Sequence, residues 1–379
     1  MDFGGPMYDK ASRNWPTTYL VSNDGSVDEA IHPATFHTPG DRDSEASRKA
    51  FSAIQAVTLA AGKIHVTICR CQHPGRNPPP SSLNGILLSH DSVYHQIVEV
   101  SGFWLEGFKF VTAAHFLSCN HPLSAEEKKD TVDFLKYLSP LSSTPSTSAM
   151  RARVSCELSS RYHGHYEQGA NQLRVPQIFD VQLTALNEAA DVAIFKLAAH
   201  ETRRPQTWIK NSQLSSAGAN FPNTVASKIF STYYPGADNL LSTDTKAKEH
   251  CSTQFELLVK SRLQLGLLIG DASDKVSPPR FNDIFHANVR SIGFGDLANA
   301  SPEGDPGHGT VVRTHTIPGF SGCSGGMIGC LETIHCPIFE GSVVSNLSVR
   351  IIGIFKGEEF FQNTFSAFTQ CGVDSIINC

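Results

Sequence analysis

The sequence predicts an all-β protein, a sandwich or a barrel. Short runs rich in β-branched and aromatic residues recur along the chain. Turns bearing Gly and Pro separate them, and no solenoid-type repeat organises them. The chain has 379 residues, 40% of them hydrophobic, enough to bury a substantial core. That length suits two or three domain-sized units.

Taken in order, residues 1–45 are rich in Gly, Pro, Ser, Asp and His without sustained periodicity and are expected to form a loose extension. Phe51, Ile54, Val57 and Thr58 recur at helical spacing, so a short helix is expected over 46–61. Lys63 to Cys69 alternates and is β-branched, which predicts a strand. Pro78-Pro79-Pro80 makes residues 76–82 a connector. Strands are then expected over 95–100, 101–105, 109–112, 174–183, 191–197 and 227–234, and again over 286–294, 310–316, 327–331 and 349–355. The Ser/Thr/Pro tract at 139–148 reads as a surface loop. Residues 244–275 read as a helical insertion, with Phe255, Leu258, Leu263 and Leu267 as its buried positions.

Charge and targeting signals narrow the function classes. The formal net charge is −5, with no long run of either sign, so nothing global points to nucleic acid. The N-terminal residues lack a basic start followed by an apolar stretch, and no window reaches the length of a membrane span. A soluble cytoplasmic protein with no membrane association is the expectation. Ten cysteines in a chain of this size, without a secretory signal, are expected to be mostly free buried thiols. Cys69-x-Cys71-x-His73 and His163-Gly-His165 lack the paired spacings of zinc sites, so no metal is expected. No phosphate-loop pattern occurs and no cofactor is implied.

Three segments carry chemistry. The first runs from Ser101 to His115, where two apolar strands meet across a Glu-Gly turn and the second ends in Thr112-Ala113-Ala114-His115. Small residues let that histidine lie close against a barrel wall. The second is Asp191-Val192-Ala193-Ile194-Phe195-Lys196-Leu197, an acid at the head of an apolar strand, where it can be buried against an imidazole. The third is Gly322-Cys323-Ser324-Gly325-Gly326, which runs into the strand beginning at Met327.

Together these resemble the motifs of the chymotrypsin-like serine peptidases. Thr-Ala-Ala-His is similar to the family's histidine motif, and the Asp191 segment to the motif that supplies its aspartate. Gly-x-Ser-Gly-Gly is similar to its nucleophile loop. The chain order His, Asp, Ser also suits this family. The resemblance extends to Gly353-Ile354-Phe355, like the strand that lines the specificity pocket, and to Tyr233-Tyr234-Pro235-Gly236. It spans residues 95–370 as separated islands, and it is nearer to intracellular, bacterial and viral members than to secreted trypsins.

The resemblance implies two packed six-stranded antiparallel β-barrels with the site in the cleft between them. The first would cover 46–205 with a long loop at 118–172. The second would cover 206–379 with the helical insertion at 240–280. It implies peptide-bond hydrolysis on a polypeptide substrate, with Ser324 as nucleophile, His115 as general base and Asp191 as the residue that orients it. Backbone N–H groups of Gly322 and Ser324 would form the oxyanion hole. A second register, Thr316-Ile317-Pro318-Gly319-Phe320-Ser321-Gly322, instead makes Ser321 the nucleophile. Ser324 is favoured, because the other register puts Cys323 to Gly326 as an insertion directly behind the nucleophile.

Departures from the family also matter. Cys323, or Phe320 in the second register, stands where secreted trypsins carry an aspartate, so no trypsin-type zymogen activation is expected. Pro318 or His315 stands where trypsins select Arg and Lys, so that specificity is not expected either. The 240–280 insertion is a candidate surface for a regulatory partner. A catalytically inactive relative serving as a binding or scaffold module is the alternative function.

Overall fold

The computed structural model describes residues 18–20, 53–54, 56–71, 93–118, 123–137, 152–155, 178–217, 228–234, 290–297, 306–317, 319, 322–337, 343–359 and 362–379. Strands β2 (Ala61–Cys71), β3 (Val93–Leu105), β4 (Lys109–Thr112), β5 (Arg153–Ser155), β6 (Ile178–Asn187) and β7 (Val192–Leu197) close into an antiparallel barrel in the order β2-β3-β4-β7-β6-β5. Alternation along β6 sends Phe179, Val181 and Leu183 inward. At the centre Trp104 meets Phe110 at 5.1 Å and Phe179 at 5.4 Å, both edge-on. Each such aromatic pair adds about 0.5–1.5 kcal/mol beyond its burial.

The second half is a seven-stranded antiparallel sheet built from β8 (Lys228–Tyr233), β9 (Ser291–Asp296), β10 (Thr310–His315), β11 (Met327–Pro337), β12 (Val343–Glu359) and β13 (Gln362–Phe368), with β1 (Thr18–Leu20) at one edge. Its order is β1-β9-β8-β11-β12-β13-β10. The expected second barrel is therefore a sheet here, but a bridge between Leu297 and His315 brings β10 back to the end of β9. The six strands from β9 to β10 thus almost close, and β1 adds outside them.

Strands β3, β4 and β7 are buried on both faces. Trp104, Phe110 and Phe195 point into the barrel. Phe103, Val111 and Ile194 point the other way, into a core shared with Phe230, Met327, Ile351 and Ile354 of the sheet. This explains why these segments read as nearly continuous apolar runs rather than as alternating ones. The same shared core also takes Val373 and Ile376 of the C-terminal helix α2 (Gln370–Asn378).

Several elements differ from the sequence reading. Residues 1–45 were expected to be a loose extension, yet Thr18–Leu20 pairs with Ser291–Gly293 of β9. The expected loop at 118–172 contains β5 and a helix α1 (Ala125–Tyr137). A capping box starts α1: the Ser124 N–H donates to Glu127 Oε2 at 2.8 Å, and the Glu127 N–H donates to Ser124 Oγ at 3.2 Å. Strand β13 and helix α2 were also missed. The Thr369 hydroxyl caps α2 by accepting the Gly372 N–H at 3.3 Å, and Lys109 Nζ donates to the Ile376 carbonyl at 3.1 Å near the helix's other end. The tract at 139–148, His163, His165 and the 240–280 insertion lie outside the described residues. Among the described residues no helix is long and apolar enough to cross a membrane.

Two buried or paired groups make stability fall in acid. Burial holds His315 neutral, with its pKa lowered from 6.5 to about 3. Its stabilising neutral form dominates above pH 6.5, so stability declines below that as the unfolded chain takes up the proton. Glu99 would be raised by burial, but His65 at 3.0 Å and Lys63 at 3.0 Å outweigh this and hold it at about 2. Its contribution is present above its ordinary value of 4.5 and is lost as pH falls toward 2. The melting temperature should therefore drop in two stages on acidification. His315→Phe should flatten the stage below pH 6.5, and Glu99→Gln the stage below pH 4.5. Thermal melts across pH 2.5–8 would check both.

Candidate active site

His115 lies in a short 3-10 turn, Ala114–Ser118, at the end of β4. Asp191 immediately precedes β7. Strands β4 and β7 are hydrogen-bonded neighbours with Thr112 opposite Ala193, so the residues beyond that pair arrive at the same barrel end. There His115 Nδ1 sits 2.8 Å from Asp191 Oδ2 and 3.0 Å from Oδ1. The His115 N–H donates to Oδ1 at 2.8 Å, and the Ala114 N–H donates to the Asp191 carbonyl at 3.2 Å. One aspartate thus holds both the ring and the backbone of the histidine. A carboxylate only accepts, so Nδ1 carries a proton and donates it to Asp191.

Reaching that position requires an unusual backbone. Asp191 has φ of 54°, in the left-handed region, which Asp tolerates better than most residues. The preceding turn supports it. The Ala190 N–H donates to Asn187 Oδ1 at 3.0 Å, and the Asp191 N–H donates to the Glu188 carbonyl at 3.2 Å. Thr310 of β10 reaches over from the sheet and donates its hydroxyl to the Ala190 carbonyl at 2.8 Å. Asp191 is only 7% exposed. A cavity of about 230 Å³ opens beside the pair, lined on the barrel side by Ser118 and Glu188 and on the sheet side by His308, Thr310, Lys356 and Ser366.

Ser324 stands in the tight turn that leads into β11. Its hydroxyl donates to the Lys356 carbonyl on β12 at 3.2 Å. The turn is tied in several directions. The Ser101 N–H contacts the carbonyls of Gly322 at 3.1 Å and Ser324 at 2.8 Å. The Gly325 N–H donates to the Phe355 carbonyl at 2.7 Å, and the Phe355 N–H to the Gly326 carbonyl at 2.7 Å. The Gly326 N–H donates to the Cys323 carbonyl at 3.0 Å. A trans peptide sets C=O and N–H on opposite sides, so the Ser324 N–H faces away from Gly326.

Ser321, Phe320 and Pro318 lie outside the described residues. His315, which in the second register stands where trypsins select Arg and Lys, is buried between the rings of Phe355 at 4.9 Å and Phe365 at 5.8 Å. Its Nδ1 accepts the Ile317 N–H at 3.0 Å. Sequence reasoning did not single out Thr310, Lys356 or the Ser101 hydroxyl. Only Ser101 had a legible signal, its place two residues before Phe103 in the strand that precedes the histidine.

Gly325 explains why this turn demands glycine. Its φ is +84°, and a Cβ there would lie 2.1 Å from the Ser101 carbonyl oxygen and 2.4 Å from Thr112 Oγ1. Gly325→Ala should lower stability by at least about 2 kcal/mol, since backbone strain and the clash add. Urea unfolding would measure it, with Gly357→Ala as a comparison at positive φ in open space.

No model of a known protein family matches the chain, and no curated protein sequence matches it. Solved structures do. Deg5 is 10% identical, with a TM-score of 0.39, over 88% of this chain and 93% of its own. The active form of the Rv3671c protease from M. tuberculosis is 12% identical, with a TM-score of 0.36, over 86% of this chain and 82% of its own. The MamO protease domain from Magnetospirillum magneticum is 10% identical, with a TM-score of 0.34, over 85% of this chain and 98% of its own. The chain itself forms a closed six-stranded antiparallel barrel and a second, nearly closed sheet.

Proposed function

We propose that this chain is a serine endopeptidase that cleaves peptide bonds through an acyl-enzyme intermediate. The carrying observation is the His115–Asp191 contact, which joins ring and carboxylate at 2.8 and 3.0 Å beside an open cavity. In this reading Ser324 Oγ attacks the substrate carbonyl carbon while His115 Nε2 takes its proton. Negative charge develops on the carbonyl oxygen and is met by the N–H groups of Gly322 and Ser324. Collapse breaks the C–N bond, and His115 returns the proton to the leaving amine. Water then enters, is deprotonated by His115, and hydrolyses the ester. Asp191 holds the Nδ1–H tautomer and stabilises the imidazolium that forms.

A second reading is a catalytically inactive peptidase-like binding module. One observation favours it: the Ser324 hydroxyl donates to the Lys356 carbonyl, and a nucleophile must turn from that bond to face an imidazole.

Fluorophosphonate labelling separates the two. The active enzyme should be labelled at one serine, and Ser324→Ala should abolish labelling while Ser321→Ala retains it. The reverse pattern would move the nucleophile to Ser321. Absence of labelling in folded wild-type protein would favour the binding module. Asp191→Asn should cut peptidase turnover by about 10⁴-fold, because the wrong imidazole tautomer is then favoured. Steady-state kinetics on a peptide library would read this.

A further inference from the structure

We infer that Ser101 is a positioning residue for the serine loop, its hydroxyl setting the orientation of the Gly322–Cys323 peptide and so of the Ser324 backbone. The inference rests on the proposed catalytic role of that loop.

Ser101 lies in β3 and is fully buried at the seam between barrel and sheet. Its Oγ accepts the Tyr234 N–H at 2.8 Å, just past the end of β8. The hydroxyl proton then has two acceptors in reach: the Gly322 carbonyl at 2.5 Å and the more distant Tyr234 carbonyl at 3.4 Å. The shorter contact wins, so Gly322 O receives both the Ser101 hydroxyl and the Ser101 N–H. The Ser101 carbonyl in turn accepts the Thr112 hydroxyl at 2.6 Å, three residues before His115. One buried residue therefore connects the β8 end, the serine loop and the strand that carries the histidine.

The loop needs such a hold because Gly322 has φ of +88°. Without a Cβ, a glycine offers little resistance to rotation of its neighbouring peptides. The orientation of the Gly322–Cys323 peptide must be imposed from outside. With its carbonyl held by Ser101, the trans geometry turns the Cys323 N–H away from the seam. The backbone of Ser324, two residues on, starts from that fixed plane. A glycine at position 101 would keep the N–H contacts but lose the hydroxyl donor and the tie to Tyr234. Gly322 directly follows Ser321, so the same clasp would act on either candidate nucleophile.

The test pairs two readouts on the full chain. The first is the second-order rate of fluorophosphonate labelling in wild type, Ser101→Ala and Ser101→Thr. The second is amide hydrogen exchange over residues 318–327, with Val192–Leu197 as the internal reference. Ser101→Ala should label at least 10-fold more slowly and exchange at least 10-fold faster in 318–327, with the reference strand unchanged. Ser101→Thr, which keeps the hydroxyl, should recover labelling to within about threefold of wild type. Wild-type labelling and exchange in Ser101→Ala would overturn the inference. So would equal losses in both variants with faster exchange throughout, or an unfolded Ser101→Ala beside a folded, active Ser101→Thr, since either makes the side chain a packing or folding group. If the wild type itself does not label, the peptidase reading fails, and the exchange measurement alone decides whether the clasp exists.

Discussion

At the seam between the barrel and the sheet, the Ser101 N–H meets two carbonyls of a loop more than two hundred residues away in sequence, and the Gly325 backbone packs against the Ser101 carbonyl oxygen. This approach is possible only because Gly325 has no side chain. It requires β3 to be buried on its outer face as well as its inner one, so that the sheet can sit directly on the barrel. The double-sided burial of Phe103, Val111 and Ile194 meets that requirement. A buried polar contact then fixes the register of two apolar faces that could otherwise slide, because leaving those carbonyls unpaired would cost more than the contact gains.

The histidine and aspartate depend on the same seam from the other side. Their meeting follows from the adjacency of β4 and β7, but the left-handed Asp191 is supported across the interface by Thr310 of the sheet. The barrel supplies both members of the pair, and the sheet helps hold the turn that presents one of them. Helix α2 reinforces this arrangement. Gly372 lies against the Gly309 backbone just before β10, and Lys109 of β4 reaches the end of the helix. The fold thus braces the proposed catalytic pair from elements far apart in the chain.

The charged groups follow a different logic from the site. Glu99, His65, Arg153 and Asp180 stand opposite one another on successive strands of the barrel. Partly exposed pairs of this kind are worth little individually, and Glu99 gains more only because Lys63 and His65 both contact it. His315 is the contrasting case: a titratable ring enclosed by two phenylalanines, kept neutral by burial and anchored through Nδ1 to its own chain two residues on. Its role in the structure is that of an aromatic core residue tied to the backbone around it.

The sequence by itself determined the all-β class and most strand positions, because β-branched runs and Gly/Pro turns are local signals. Lys109–Thr112 and the strand after Asp191 were legible for that reason. It also singled out His115, Asp191, Gly322 and Ser324, since compact motifs carry their own context. What it did not reveal was set by pairing at a distance. Thr18–Leu20 is a strand only because β9 offers an edge. Helix α1 has few apolar positions, and its capping box at Ser124 and Glu127 was its one strong local mark. The left-handed turn at Asp191, the burial of His315 and the link from Ser101 through Gly322 to Tyr234 were decided by tertiary structure alone. Each depends on which backbone atoms are brought within hydrogen-bonding reach, and no local pattern of side chains encodes that.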